Sequence, residues 1–225
     1  MTGDEQNVIS ESVTLVEDIA SRAKRVAGTA NESVEKFLYR DGKGGTAWAI
    51  SVAKVDVAAA TLFAELHLLD TYARKAANMR AAVNEVWNNL DGTRGMQYTT
   101  SVSLPGGFQD RLYNTWITWD KWVGADGKQT YIIAISPLEK YKGTHHKVDG
   151  TEKMIEAMSR GVYIIKEVTE HTCQVTRTQQ GDLKFTAAMP LSVLDFVAKQ
   201  YLGKANVLQE KFRRNGKENV GAAGR

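Results

Sequence analysis

The chain has 225 residues, 43% of them hydrophobic, enough for one sizeable core, and its 29 basic against 26 acidic side chains leave a formal charge of only +3. So small a surplus leaves no electrostatic footprint for nucleic acid, and no run approaches the ~20 apolar residues of a membrane span. The single cysteine, Cys173, excludes an internal disulfide, and the polar N-terminus MTGDEQN is unlike a signal peptide, so a cytoplasmic location is expected.

Val8 to Val26 carries Ile9, Val13, Val16, Ile19, Ala20, Ala23 and Val26 at three-and-four spacing, which predicts an amphipathic packing helix that Gly28 ends. Val34–Arg40 and Thr46–Ala53, rich in β-branched and aromatic residues on either side of DGKGG, predict a hairpin. The glycines between them make a turn and not a phosphate loop, because the GxxxxGK[ST] spacing and a following helix are both missing. Asp56 to Arg80 is alanine-rich, and Val57, Ala60, Leu62, Phe63, Leu66, Leu69 and Ala73 predict one or two helices, with Asp56 as a cap. His67 there has no partner at a metal-ligand offset and reads as a packing or surface residue.

A meander of strands follows: Val83–Asn88, Met96–Leu104, Leu112–Val123 and Gln129–Ser136, with Asp-Gly pairs in the turns at NNLDG and GADGK. Trp116, Trp119 and Trp122 lie in the third of these. Strand alternation turns Trp119 to the face opposite Trp116 and Trp122, so that strand is expected to be covered on both sides, by core packing or by cavity lining. The break LPGGFQDR presents Leu104 and Phe108 around Pro105, Gly106 and Gly107, and a loop that offers apolar side chains is a candidate gate or membrane contact.

Leu138–Gly150 reads as loop, and its adjacent His145 and His146 are poor joint ligands for a metal. Thr151–Arg160 fits either a short helix or the start of a long strand, and Gly161–Val168 and Thr172–Thr178 alternate as strands. Cys173, inside the second of these, reads as a buried thiol and not a nucleophile. Pro190 to Arg214 predicts a helix of about seven turns, with Leu191, Leu194, Val197, Ala198, Tyr201, Leu202, Ala205, Leu208 and Phe212 on one face. Lys211, Arg213 and Arg214 occupy its last turn and Lys217 lies just beyond, where cations complement the helix dipole. Residues 215–225 have no periodicity and are expected to be a disordered tail. No nucleophile elbow, CxxC pair or HExxH motif occurs, so neither a catalytic residue nor a metal or cofactor site is assigned.

The order of elements ends in a long apolar helix after a run of strands. The stretches WAISVAKVDVAAATLFAEL, LPGGFQDRLYNTWITW and SRGVYIIKEVTEHTCQVTRTQQGDLK carry a resemblance to the START domain, the steroidogenic acute regulatory protein-related lipid-transfer family. The resemblance implies an α+β helix-grip fold, a curved antiparallel β-sheet wrapped around the C-terminal helix, and it favours a strand across Thr151–Arg160. It divides the chain into an N-terminal helix and linker at 1–33, the START-like domain at 34–214 and the tail. It departs from the family in showing two clear strands, not three, before the second helix, and in placing Asp110 before Arg111 with Leu112 after it.

By this resemblance one lipid lies in a tunnel lined by Trp116, Leu194, Val197, Ala198, Tyr201 and Leu202, with Arg111 or else Arg177 at its headgroup. Leu104, Pro105, Gly106, Gly107 and Phe108 form the entrance, and Lys211, Arg213 and Arg214 make transient contact with a membrane surface. The expected protein is a monomer without enzymatic activity. The alternatives are a helix-grip enzyme of the polyketide cyclase or hydratase type and a regulatory module that binds protein.

Overall fold

The computed structural model describes residues 1–26, 34–41, 46–68, 83–103, 109–184, 202–203 and 205–213, with the side chains of 39–41 and 46–47 excepted. Helix α1 spans Gly3–Arg22 and opens on a reciprocal cap: Thr2 Oγ1 accepts from the Glu5 amide at 3.3 Å while Glu5 Oε2 accepts from the Thr2 amide at 2.6 Å. The helix therefore starts and stops earlier than the apolar spacing predicts. Residues after it leave the helix, and Lys24–Arg25 form a two-residue strand, β1, paired with Leu38 and Phe37.

Strands β2 (Val34–Asp41) and β3 (Thr46–Val55) form the expected hairpin, so three strands and not two precede the second helix. That helix, α2, spans Ala59–His67 and is capped at Ala58 with no side-chain hydrogen bond, so Asp56 does not serve as its cap. The meander follows as β4 (Asn84–Trp87), β5 (Met96–Val102), β6 (Arg111–Val123) and β7 (Gln129–Pro137). Of the ambiguous 151–160 stretch, residues 151–154 form a turn and the rest is strand, because β8 runs from Ile155 to Thr169 and pairs with β9, Thr172–Asp182, along most of its length. Cross-strand partners outweigh the local helical propensity there. Residues 205–213 are helical and are called α3; the remainder of Pro190–Arg214, apart from 202–203, lies outside the described residues.

The nine strands of the described residues join one sheet in the order β1-β2-β3-β9-β8-β7-β6-β5-β4, with antiparallel neighbours. Beyond the end of β7, β8 reaches β6 directly in a short parallel pairing from Arg111↔Ile155 to Tyr113↔Ala157. The curved sheet is apolar on both faces, and a different set of helices covers each. On one face α2 and α3 bring Leu62, Leu66, Ala205 and Phe212 against Val34, Val55, Ile133, Ile165 and Val175. On the other, α1 brings Val8, Ile9 and Val16 against Trp116, Ile132, Ala134 and Val162, and Ile19 against Trp48 and Ile50. A sheet covered on both sides needs inward-pointing apolar residues in both phases of each strand, which is what the Trp-rich β6 supplies.

Candidate functional site

Strand register places the helix-covered face in rows. One row runs Lys36, Ser51, Arg177, Tyr163, Ile133 and Trp119 across β2, β3, β9, β8, β7 and β6. Side chains directly opposite one another point to the same side of the sheet, so the polar members of this row share the face that carries Val175, Leu62 and Phe212. The row on one side of it, Val34, Ala53, Val175, Ile165 and Tyr131, is apolar apart from the Tyr131 hydroxyl, which donates to Gln129.

Arg177 lies at the centre of the polar row. It is buried, its guanidinium stands 5.4 Å from the centre of the Tyr163 ring, and it donates to Gln179 Oε1. Gln179 Nε2 in turn donates to Ser159 Oγ at 3.2 Å. Ser51, 2% exposed, is the neighbour of Arg177 on β3, and Lys36 follows on β2. Sequence reading singled out Arg177 but missed Lys36, Ser51, Tyr163 and Gln179. The legible signal was Ser51, a polar residue in the inward phase of β3 between Ala49 and Ala53.

Arg111 is also buried, but its guanidinium is turned to backbone: Nε donates to the Leu183 carbonyl at 2.6 Å and Nη1 to the Gln109 carbonyl at 2.6 Å. It joins the start of β6 to the chain that leaves β9, next to Tyr113, Ala157 and Leu183. Trp116 does not face the same space as Arg177. Its ring lies on the α1 side, 5.0 Å from Tyr141, with Gly95 so close to the indole that a Cβ there would stand 2.3 Å from Nε1. Trp119 occupies the helix-covered face instead, edge-on to Phe63 at 5.2 Å and to His67 at 5.3 Å. His67 is stacked on Phe63 at 5.1 Å, which accounts for it as a packing residue.

Of the residues expected to line a tunnel from the last helix, Leu202 is buried against Ala49, with Leu38 and Val26 beside it. Leu194, Val197, Ala198 and Tyr201 lie outside the described residues, as do the entrance residues Leu104, Pro105, Gly106, Gly107 and Phe108. In the basic cluster, Lys211 is paired with Glu65 of α2, Arg213 is exposed, and Arg214 and Lys217 lie outside the described residues. Gln209 Nε2 donates to the Lys54 carbonyl at 2.6 Å and holds α3 to the end of β3.

Cys173 is fully buried among Val55, Val175 and α2, and burial pushes its thiol up to about 12. A thiol held protonated is a packing group, not a nucleophile. Among the described residues no group of three or more His, Cys, Asp or Glu side chains is placed to hold a metal ion, and no helix is long and apolar enough to cross a membrane.

No family model matches the sequence, and no curated protein matches it either. Solved structures do match in fold. Human STARD10 aligns with a TM-score of 0.64 at 15% identity, over 95% of this chain and 84% of that one. Human StAR-related lipid transfer protein 5 aligns at 0.65 and 10% identity, over 94% and 96% of the two chains. A STAR-related lipid transfer protein from Xanthomonas axonopodis aligns at 0.59 and 13% identity, over 85% and 99%. With a nine-stranded antiparallel sheet carrying helices on both faces, and with these alignments along nearly its whole length, the chain has the helix-grip fold of a START domain.

Proposed function

We propose that the protein binds a single lipid between the sheet and its last helix and passes it between membranes without chemical change. One observation carries this reading: the face under α2 and α3 carries an apolar row, Val34, Ala53, Val175 and Ile165, and beside it Lys36, Ser51 and Arg177 share a buried polar row. Such a surface suits a molecule that is mostly hydrocarbon with one polar end. Burying ~20 methylenes at ~0.8 kcal/mol each extracts a lipid from water with no covalent step, and a central guanidinium orients its headgroup. Arg177 is the headgroup residue in this reading. Arg111, whose guanidinium is occupied by the Leu183 and Gln109 carbonyls, supports the site from outside.

The lipid enters past Leu104, Pro105, Gly106, Gly107 and Phe108, and Arg213 and Arg214 contribute ~1 kcal/mol each against an anionic bilayer during transfer. The protein acts as a cytoplasmic monomer. Native mass spectrometry of the purified protein, followed by organic extraction, tests the proposal. The expected result is a one-to-one protein–lipid mass. Protein that stays ligand-free after incubation with mixed-lipid vesicles overturns it.

A further inference from the structure

A cleft lies on the face of the sheet that α1 covers, between α1 and the strands β7, β8 and β9. Its volume is about 170 Å³, below the ~300–1,000 Å³ usual for a drug-sized ligand, so it suits a small molecule and not a whole lipid. Arg160, Lys140, Glu11, Ser12, Ser136 and Thr178 line its polar side, and Leu15 and Val162 its apolar side.

Arg160 is built into this cleft. Its guanidinium lies 4.8 Å from the centre of the Trp48 ring, and its Nε donates to Gln180 Oε1 at 2.5 Å. Trp48 and Gln180 are 3% and 1% exposed, so the guanidinium is gripped by two side chains that cannot move without opening the core. Among the described residues its two Nη groups meet no carboxylate and make no hydrogen bond. Ser136 and Thr178 line the same cleft at 6% and 2% exposure, and neither hydroxyl has a hydrogen-bond partner among the described residues. Neither hydroxyl is sealed from solvent, although the residues that carry them are. The open side of both is therefore the cleft. Ser12 is already committed to the Val8 carbonyl at 2.7 Å, and Glu11 is paired with Lys140 at 2.9 Å, which leaves Arg160 as the uncompensated charge.

We propose that this cleft is an anion site, in which the Arg160 Nη groups take an oxyanion as a fork while the Ser136 and Thr178 hydroxyls donate to its remaining oxygens. Planar guanidinium binds phosphate and carboxylate alike in two parallel hydrogen bonds, and Leu15 and Val162 leave room for a short apolar stem. The ligand is a phosphate- or carboxylate-bearing group, either free in solution or at the headgroup of a membrane lipid. The site lies on the other side of the sheet from the lipid space proposed above and does not depend on it.

Calorimetric titration of the full chain with sodium phosphate, against sodium chloride at matched ionic strength, tests the site. The expected result is saturable one-to-one phosphate binding that weakens about tenfold or more in Arg160→Gln and a few-fold in Ser136→Ala, because charged hydrogen bonds contribute more than neutral ones. Ser136→Ala keeps the Trp48–Arg160 stack, so the test survives if Arg160→Gln folds poorly. Phosphate binding no stronger than the chloride control, or unchanged in Ser136→Ala and Arg160→Gln alike, overturns the proposal. Flotation with vesicles containing phosphatidic acid, compared with phosphatidylcholine alone, separates the two sources. Flotation lost in Arg160→Gln supports a headgroup, and phosphate binding without flotation supports a free anion. Lipid co-purifying with wild-type protein reports on the other face and is unaffected by either result.

Discussion

Lys211 on α3 donates to Glu65 on α2, Nζ to Oε1 at 2.7 Å, and so ties the end of the last helix to the helix beside it. Both side chains are partly exposed, which limits such a pair to ~0.2–1 kcal/mol. That is too little to hold the fold but enough to slow the parting of the two helices that lipid entry, as proposed above, requires. Glu65→Gln is expected to speed lipid uptake from vesicles by roughly two- to fivefold while melting within a few degrees of wild type. Stopped-flow transfer of a fluorescent lipid measures this, and the same acceleration by 0.5 M salt in wild type but not in Glu65→Gln marks the ion pair as the cause.

Arg177 and Arg111 are equally buried but differently engaged, and their variants should separate. Arg177→Gln is expected to shift the profile of co-purified lipids away from acidic or phosphate-bearing headgroups. Arg111→Gln is expected to leave that profile as it is and to lower stability, because the Leu183 and Gln109 carbonyls lose charged donors worth ~1.5–3 kcal/mol. Lipid extraction and thermal melting on both variants check the division, and identical profiles for Arg177→Gln and wild type remove Arg177 from the headgroup position.

Gly161 on β8 sits opposite Gln179, where a Cβ would stand 2.3 Å from the Thr178 carbonyl oxygen. The obstacle is backbone, which cannot rotate aside. Gly161→Ala should therefore force β8 and β9 apart and cost about 1–3 kcal/mol, visible as a lower urea midpoint with an unchanged slope.

Burial raises the Cys173 thiol from its ordinary 9.0 to about 12. The unfolded chain loses this proton first, so the native state binds more protons through that window and stability falls as pH rises from 9.0 towards 12. At pH 8 the thiol reacts only when the structure opens. Labelling by a water-soluble thiol reagent should be slower than that of a free thiol by orders of magnitude and should accelerate in urea along the unfolding curve. Prompt native-state labelling would contradict the buried position.

The elements of this protein are written in its local pattern. Period-two runs of Val, Ile, Thr and aromatic residues mark β2 to β7, β9 and the later half of β8, Asp-Gly pairs mark two of the turns, and the order of helices and strands by itself points to a helix-grip sheet. The tertiary structure decided whatever depends on partners distant in sequence. Residues 155–160 became strand because β9 and β6 supply their hydrogen bonds, which local propensity does not record. Trp116 and Trp119 were both legible as inward aromatics, but which of them meets α1 and which meets α2 follows from the side each helix takes, not from alternation within β6. The two arginines and the cleft beside Arg160 follow the same logic. A guanidinium is alike in any sequence, and whether it faces a carbonyl, a ring or open space is set only when β6, β8 and β9 come into register.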